Sequence, residues 1–262
     1  MADIFQDIRS TLGVPVVNLI WRHLATIPGA LEWCWASLKP SYENNAIYAE
    51  ASLLRNEVSV SVDTKLTPFC LTSAGLSTRN LSSIKVVLNS YYRSNAINLV
   101  SLNFLLAKLS DMASENPSRP RNDAAVVATS IVGNMPPLIP LEDMPTHVRE
   151  LVLAINKIGD REEILPSMYR HLANWPSFLA LAYLILVPIA EKGELEAKIK
   201  LGLKLAYISG LDINHSIPTP GNTMSRAAQS QTKEALRKFV NGPIGKMTAI
   251  VPVITSSMDV SV

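Results

Sequence analysis

The chain contains nearly the same seven-residue segment twice. RHLATIP runs from Arg22 to Pro28, RHLANWP runs from Arg170 to Pro176, and five of the seven residues agree. The two segments are 148 positions apart, and the same shift aligns residues that follow them: Leu31 with Leu179, Trp35 with Tyr183, Leu38 with Leu186, and Pro40 with Pro188. This internal duplication constrains the fold strongly, because both copies are expected to form the same local structure.

The shift of 148 also holds in a distant segment of the chain. There it aligns these pairs: Leu88 with Leu236, Tyr91 with Phe239, Leu99 with Met247, Leu102 with Ile250, Leu105 with Val253, and Leu106 with Ile254. The aligned apolar positions recur every three or four residues, which is the spacing of one face of an α-helix. The pattern predicts an all-α protein built from two repeated helical bundles, related by a pseudo-twofold axis as in a fused dimer.

A segment rich in proline and polar residues separates the two copies. It reads ENPSRPRNDAAVVATSIVGNMPPLIPLEDMP over residues 115–145, and such a composition is typical of a surface linker. We therefore predict an N-terminal helical repeat over residues 1–114, a linker over residues 115–145 and a C-terminal helical repeat over residues 146–262. Two halves of this size usually bury a shared seam.

Two stretches alternate between apolar and polar residues, which is the pattern of a β-strand. Residues 195–205 are rich in Leu, Lys, Glu and Ala, and these residue types favour a helix. We predict a helix for that stretch. The second stretch contains Val58, Val60 and Val62, and there a small hairpin is an alternative.

The composition indicates that much of the chain is buried. Hydrophobic residues make up 48% and charged residues only 18%, whereas a charged fraction of about 25% is usual. The chain is expected to bury surface against itself or against a second copy, which leaves a homo-oligomer open. The net charge of +2 is too small to predict nucleic-acid binding.

The sequence predicts no membrane span. Its longest apolar run, from Phe178 to Ala190, contains Pro188 and is shorter than the ~20 residues that a spanning helix needs. The N-terminal segment carries acidic residues and has no apolar core of the kind that signal peptides have. Cys34 and Cys70 have no metal-binding or redox spacing, so we predict reduced, structural cysteines, a cytoplasmic protein, and neither a cofactor nor a bound metal.

Several segments resemble the group I 2-haloacid dehalogenases. They are DIRSTLGVPVVNLIWRHLATIPGAL in the first half, LANWP in the second half and MPPLIPLED in the linker. The resemblance runs from about Ile4 to Ser257. It implies an all-α fused pseudo-dimer, related in topology to alkylhydroperoxidase D-like proteins. It also implies a hydrolase in which an Asp activates a water that displaces halide directly from small 2-halocarboxylic acids.

The resemblance places the family's site residues on six positions of this chain. The catalytic Asp corresponds to Met168, which cannot act as a general base, and the Ser before it is kept as Ser167. The water-orienting Asn is kept as Asn95. The two pocket aromatics correspond to Val16 and Leu19, and the Tyr corresponds to Val240. The resemblance therefore implies a more aliphatic pocket without the base.

Each polar candidate also has a purely structural interpretation. Asn95 could satisfy a helix backbone or a neighbouring hydroxyl instead of a ligand, and Ser167 follows a proline and could cap a helix. Arg22 and Arg170 could clamp a carboxylate, although we expect each to pair with an acidic side chain at the seam. The adjacent His23 and His171 are expected to be structural, because no third metal ligand has suitable spacing.

Three functions remain open at this point. The chain could have lost the hydrolytic activity and bind a small apolar or carboxylate ligand between the repeats. It could be a hydrolase that uses a relocated base such as Glu163. It could also be a non-catalytic helical protein whose apolar surface serves assembly. Accordingly, we expect Val16, Leu19, Asn95, Ser167, Met168 and Val240 to lie close together near the seam.

Overall fold

The computed structural model describes residues 1–59, 62–110 and 130–258. Within these ranges the chain forms helices α1 (Ala2–Leu12), α2 (Leu19–Leu24), α3 (Ala30–Glu43), α4 (Ala46–Val58), α5 (Pro68–Ser73), α6 (Thr78–Lys108), α7 (Thr146–Lys157), α8 (Ser167–Leu172), α9 (Pro176–Glu191), α10 (Glu194–Asp212), α11 (Arg226–Phe239) and α12 (Gly245–Ser257). The described ranges contain no β-strand, only an isolated bridge between Leu66 and Met258. The all-α prediction is confirmed.

The two ambiguous stretches do not form a hairpin in the part of the chain that the structure describes. Residues 195–205 lie inside α10, so the predicted helix is confirmed there. Val58 is the last residue of α4, and Val60 lies outside the described residues. Helix propensity therefore outweighs the alternating pattern in α10.

The long helix α6 is the centre of the molecule. A capping box begins it: Asn80 donates its backbone N–H to Ser77 Oγ at 3.2 Å, and Ser77 donates its own to Asn80 Oδ1 at 3.0 Å. At 1.5 Å per residue, its 31 residues span about 46 Å. It packs against α4, α10 and α12, so it contacts helices from both halves of the chain.

Several helix starts in the two halves lie 148 positions apart. The starts of α2 and α8, of α4 and α10, and of α6 and α11 all have this separation. Two pairs of left-handed residues follow the same shift: Gly13 (φ 62°) corresponds to Arg161 (φ 60°), and Asn45 (φ 60°) to Gly193 (φ 75°). The order of local structure thus follows the sequence repeat, whereas the pseudo-twofold axis itself remains a prediction.

The α6 equivalent in the second half is interrupted. Between α11 and α12 lies a kinked turn, Val240–Ile244, in which Gly242 has the non-helical angles φ −101° and ψ −116°. Pro243 follows it and has no backbone N–H to donate. The Gly-Pro pair therefore breaks the long helix at the seam.

One hydrophobic core contains residues from both halves. It includes the fully buried Trp21 and Leu38 of the first half and Phe178 and Leu186 of the second half. Both cysteines are free thiols; Cys34 is buried in this core and Cys70 is exposed. None of the described helices is both long and apolar enough to cross a membrane.

The described part of the linker, residues 130–145, lies mostly on the surface against α8. Three side chains donate hydrogen bonds to linker carbonyl groups; two belong to α8 and one to the residues just after it. His171 Nδ1 bonds to Pro136 at 2.9 Å, Asn174 Nδ2 to Pro137 at 2.9 Å, and Arg170 Nε to Ile139 at 2.9 Å. These bonds fix the path of the linker over the seam.

Candidate functional site

A small cavity lies where α2, α6, α8 and the α11–α12 junction meet. Its volume is about 30 Å³, which is room for roughly one or two water molecules. It is lined by Asn18, Leu19, Ile20, Tyr91, Asn95, Pro166, Ser167, Met168, Phe239, Pro243, Ile244 and Met247. We call this space the seam cavity, because both halves of the chain contribute to its wall.

Four lining residues of the seam cavity are polar, and we call them together the polar end: Asn18, Tyr91, Asn95 and Ser167. Some of their polar groups have no hydrogen-bond partner. The Asn18 amide donates Nδ2 to Ser94 Oγ at 3.0 Å, but its Oδ1 has no partner. Asn95 Nδ2 also has none. The Tyr91 hydroxyl makes no hydrogen bond of good geometry, although the Ser167 side chain lies next to it. Asn18, Asn95 and Tyr91 are all buried. Leaving a buried polar group unpaired costs about 1–3 kcal/mol, so this end is suited to a water or to the polar group of a ligand.

Arg22 brings positive charge to the polar end. Its Nη2 donates to Ser167 Oγ at 3.0 Å, and its Nε is buried without a partner. The expected ion pairs of Arg22 and Arg170 with acidic residues are wrong for the described part of the chain, because Arg22 bonds to a hydroxyl and Arg170 to the Ile139 carbonyl. No carboxylate neutralises either guanidinium there.

Burial keeps Tyr91 in its neutral, hydrogen-bond-donating form. Removal from solvent disfavours the phenolate and raises the pKa of the Tyr91 hydroxyl. The same cause lowers the pKa of His171, whose ring lies 6.1 Å from that of Tyr91. The polar end of the seam cavity therefore presents an O–H donor and an amide N–H beside a guanidinium, and it presents no anionic group.

The remaining lining of the seam cavity is apolar. Met168 is fully buried, and Phe239, Ile244 and Met247 are buried beside it in the cavity wall. None of the lining residues is Asp or Glu. The lining offers hydrogen-bonding groups for the polar head of a small molecule and apolar contacts for its aliphatic part, but it supplies no general base.

Four of the six predicted site residues line the seam cavity: Leu19, Asn95, Ser167 and Met168. Val16 and Val240 do not line it; both are buried in the hydrophobic core. The structure thus brings Asn95 and Met168 together from separate helices. Whether these residues bind a ligand stays a prediction.

Most of the lining consists of pairs of residues 148 positions apart. The five pairs are Asn18 and Pro166, Leu19 and Ser167, Ile20 and Met168, Tyr91 and Phe239, and Asn95 and Pro243. In four of them one member has a side-chain amide or hydroxyl and the other is apolar: the polar members are Asn18, Tyr91 and Asn95 of the first half and Ser167 of the second. The polarity of the cavity therefore results from divergence between equivalent positions.

Sequence reasoning missed Tyr91, Asn18, Phe239 and Pro243. The repeat contained the signal that could have found two of them. A cavity at a seam between repeats is lined by equivalent positions, so the predicted Asn95 points to Pro243 through the shift of 148. Tyr91 and Phe239 are equivalent in the same way, so finding one of them in the cavity wall would have predicted the other.

An open cleft of about 530 Å³ lies outside the seam cavity, between α2 and α11. Leu19 and Phe239 line both spaces and so form a shared wall. The His23 ring lies 5.5 Å from the Phe239 ring on the cleft side. We call this space the outer cleft.

The relocated base that the sequence suggested does not reach the seam cavity. Glu163 lines a neighbouring surface cleft, its side chain is 73% exposed, and it forms an ion pair with Lys238. Glu163 is absent from the residues that line the seam cavity. It therefore faces solvent rather than a site that excludes water.

The fold resembles that of solved haloacid dehalogenases. A D-2-haloacid dehalogenase mutant in complex with D-2-CPA matches with a TM-score of 0.77 and 17% identity, over 98% of this chain and 90% of the other. A D-2-halacid dehalogenase mutant matches with a TM-score of 0.76 and 18% identity, over 97% and 89%. A D-2-haloacid dehalogenase in complex with L-LA matches with a TM-score of 0.74 and 17% identity, over 98% and 90%.

Sequence comparison adds nothing to this structural likeness. No protein-family model matches the chain, and no curated protein sequence matches it. The structural matches cover nearly the whole chain, so it has a haloacid dehalogenase-like fold. At these identities the likeness concerns the fold alone.

Proposed function

We propose that this protein binds a small carboxylate in the seam cavity and does not hydrolyse carbon–halogen bonds. One observation carries the proposal: buried donors without hydrogen-bond partners line a cavity that has no acidic residue in its wall, and the Arg22 guanidinium bonds to the lining residue Ser167. The structural likeness to D-2-haloacid dehalogenases supports the choice of small 2-substituted acids as first candidates.

A carboxylate suits the donors of the polar end. Its two oxygens accept several hydrogen bonds, and bonds from charged donors are about twice as strong as neutral ones. Asn95 Nδ2 and the Tyr91 hydroxyl belong to lining residues, and Arg22, which bonds to the lining residue Ser167, has a buried Nε without a partner. An anion at this end would satisfy donors that are otherwise buried and unpaired, and it would neutralise the guanidinium.

The absence of a base in the lining supports loss of hydrolysis. General-base assistance typically contributes ~10²–10⁴-fold in rate, and the thioether of Met168 is at best a weak hydrogen-bond acceptor. Glu163 would have to leave its ion pair with Lys238 and enter an apolar space to replace that base. A hydrolase with a relocated base is therefore the weaker alternative.

A non-catalytic role in assembly is the third alternative. It would be favoured by a seam filled with side chains, whereas a cavity with unpaired polar groups lies at this seam. The low charged fraction of 18% still leaves a homo-oligomer open beside ligand binding. We also propose a cytoplasmic location, for which the two free thiols are the supporting observation.

A binding screen paired with a halide-release assay tests the proposed function. Propionate, lactate and both enantiomers of 2-chloropropionate would be titrated calorimetrically into the natural protein, and chloride would be measured in the same samples. We expect saturable binding of at least one acid without chloride release above the buffer rate. Robust turnover would overturn the proposal in favour of a hydrolase, and the absence of any binding would overturn it in favour of the assembly role.

A further inference from the structure

The seam cavity has a wall that a ligand must cross, if the proposed function holds. At about 30 Å³ the cavity is far smaller than the ≈300–1,000 Å³ of typical ligand pockets. The outer cleft lies directly beyond Leu19 and Phe239. Phe239 is the last residue of α11 and precedes the kinked turn at Val240–Ile244, so its backbone lies next to a break in the helix.

The repeat implies a second cleft equivalent to the outer cleft. The shift of 148 carries His23 to His171 and Thr26 to Asn174. It also relates Phe239 to Tyr91, and a His–aromatic ring contact occurs on both sides. The His23 and Phe239 ring centroids are 5.5 Å apart, and those of His171 and Tyr91 are 6.1 Å apart.

The described part of the linker, residues 130–145, lies on this second side, and none of these residues lines the outer cleft. His171 and Asn174 both donate hydrogen bonds to linker carbonyl groups, at 2.9 Å each. Gly133 of the linker approaches Val86 so closely that a Cβ on it would lie 2.5 Å from Val86 Cγ2, and its φ of +141° also favours glycine. Val86 is the equivalent of Glu234, which lines the outer cleft.

We infer that the described part of the linker closes one of two equivalent entrances, so that ligands reach the seam cavity through the outer cleft, past Phe239. This gives the Pro-rich linker a role beyond joining the repeats. A ring at the entrance admits slender acids readily and slows branched ones, because it must rotate farther to let a wider molecule pass. Phe239 thereby contributes to the choice of ligand.

Blocking each side in turn tests the inference. In a Cys70→Ser background, Gln231→Cys places an exposed thiol in the outer cleft, and Ser83→Cys places a partly exposed thiol at the equivalent position on the linker side. Cys34 is buried and should not react. Each variant would be labelled with a bulky maleimide, and the association rate of 2-chloropropionate would be measured by stopped-flow fluorescence, with unlabelled protein as reference.

We expect the label at position 231 to slow association at least tenfold. The label at position 83 should leave the association rate within twofold of that of the unlabelled protein. A second variant, Phe239→Leu, should speed association of the branched acid 2-chloro-2-methylpropionate more than that of 2-chloropropionate. Equal effects of the two labels, or no effect of either, would overturn the inference while acid binding itself stands. If the unlabelled natural protein binds no acid in calorimetry, the proposed function fails instead.

Discussion

Asn95 combines burial with an amide nitrogen that has no partner. We predict that Asn95→Leu weakens carboxylate binding about tenfold or more, because a hydrogen bond to a charged group is worth roughly 1.5–3 kcal/mol. Stability should change little, since Asn95 Nδ2 has no protein partner to lose. Calorimetric titration and urea unfolding would measure the two effects.

Asn103 provides a matched control for Asn95 on the same helix. It is buried and donates Nδ2 to the Leu99 carbonyl at 2.8 Å, but it does not line the seam cavity. Asn103→Ala should therefore reduce the free energy of unfolding and leave the affinity for the carboxylate unchanged. If the two variants change carboxylate affinity and stability in the same way, a ligand-binding role for Asn95 is contradicted.

Met168 is the position at which the resemblance expects the base. We predict that Met168→Asp does not restore robust halide release, because a carboxyl group in a fully buried apolar site has a raised pKa and stays protonated. A folded-state pKa above the unfolded value of about 3.9 means that stability is lost as pH rises from about 4. Urea unfolding would measure the free energy of unfolding of the natural chain and of the variant from pH 4 to 8. The variant should lose stability relative to the natural chain as the pH rises, and a constant difference between the two would contradict a raised pKa at position 168.

Individual residues show the limit of sequence-based prediction. The loss of the base at Met168 and the survival of Asn95 could be read from aligned segments. The unpaired atoms of Tyr91 and Arg22 could not, because a missing hydrogen-bond partner is a property of three-dimensional packing. Val16 and Val240 were placed at the site but do not line the seam cavity, since an alignment fixes a position along the chain but not which cavity it lines.

At the scale of elements, the loop between α7 and α8 is held by a buried lysine. Lys246 at the start of α12 is fully buried, and its Nζ donates to the Asn156 carbonyl at 2.7 Å, to Asn156 Oδ1 at 3.1 Å and to the Asp160 carbonyl at 3.0 Å. Gly159, Asp160 and Arg161 all have positive φ. This loop leads into Pro166 and Ser167 of the seam cavity.

The buried lysine predicts a pH dependence of stability. Burial lowers the pKa of Lys246 to about 8 from its ordinary 10.5, so between these values the unfolded chain binds more protons than the folded chain. Stability therefore rises with pH in that window. We expect the free energy of unfolding of the natural chain, relative to Lys246→Met, to rise by about 2 kcal/mol from pH 7.5 to 9.5. A constant difference would contradict this assignment.

Helix positions could be predicted better than connections. Apolar spacing and the repeat indicated helices in both halves, and α10 formed despite its alternating pattern because Leu, Lys, Glu and Ala favour a helix. The kink at Gly242 and the linker path could not be predicted. Both depend on tertiary contacts, such as the hydrogen bonds of His171 and Asn174 to linker carbonyl groups.

At the scale of the whole molecule, the two halves share one core, and α6 packs against helices of both. We predict that the protein unfolds in a single cooperative transition, because neither half can bury its face of the seam alone. Urea curves from tryptophan fluorescence and from far-ultraviolet circular dichroism should coincide. Two separated transitions would indicate independent halves.

The pseudo-twofold relation is the second prediction at this scale. Residues 17–110 should superpose on residues 165–258 with the same order of helices, as the shared separation of 148 between helix starts suggests. Least-squares superposition of the two segments in an experimental structure would check it. Halves with different topologies would contradict it.

A crystal structure of the natural protein with 2-chloropropionate tests the central claim most directly. We predict an intact acid in the seam cavity, with its carboxylate within hydrogen-bonding distance of Asn95 Nδ2 and its chlorinated carbon toward Met168. The room for it should come from displacement of the Leu19 and Phe239 side chains. A 2-hydroxy acid in the cavity in place of the chloro acid would contradict the loss of hydrolysis, and a cavity unchanged at saturating acid would contradict binding.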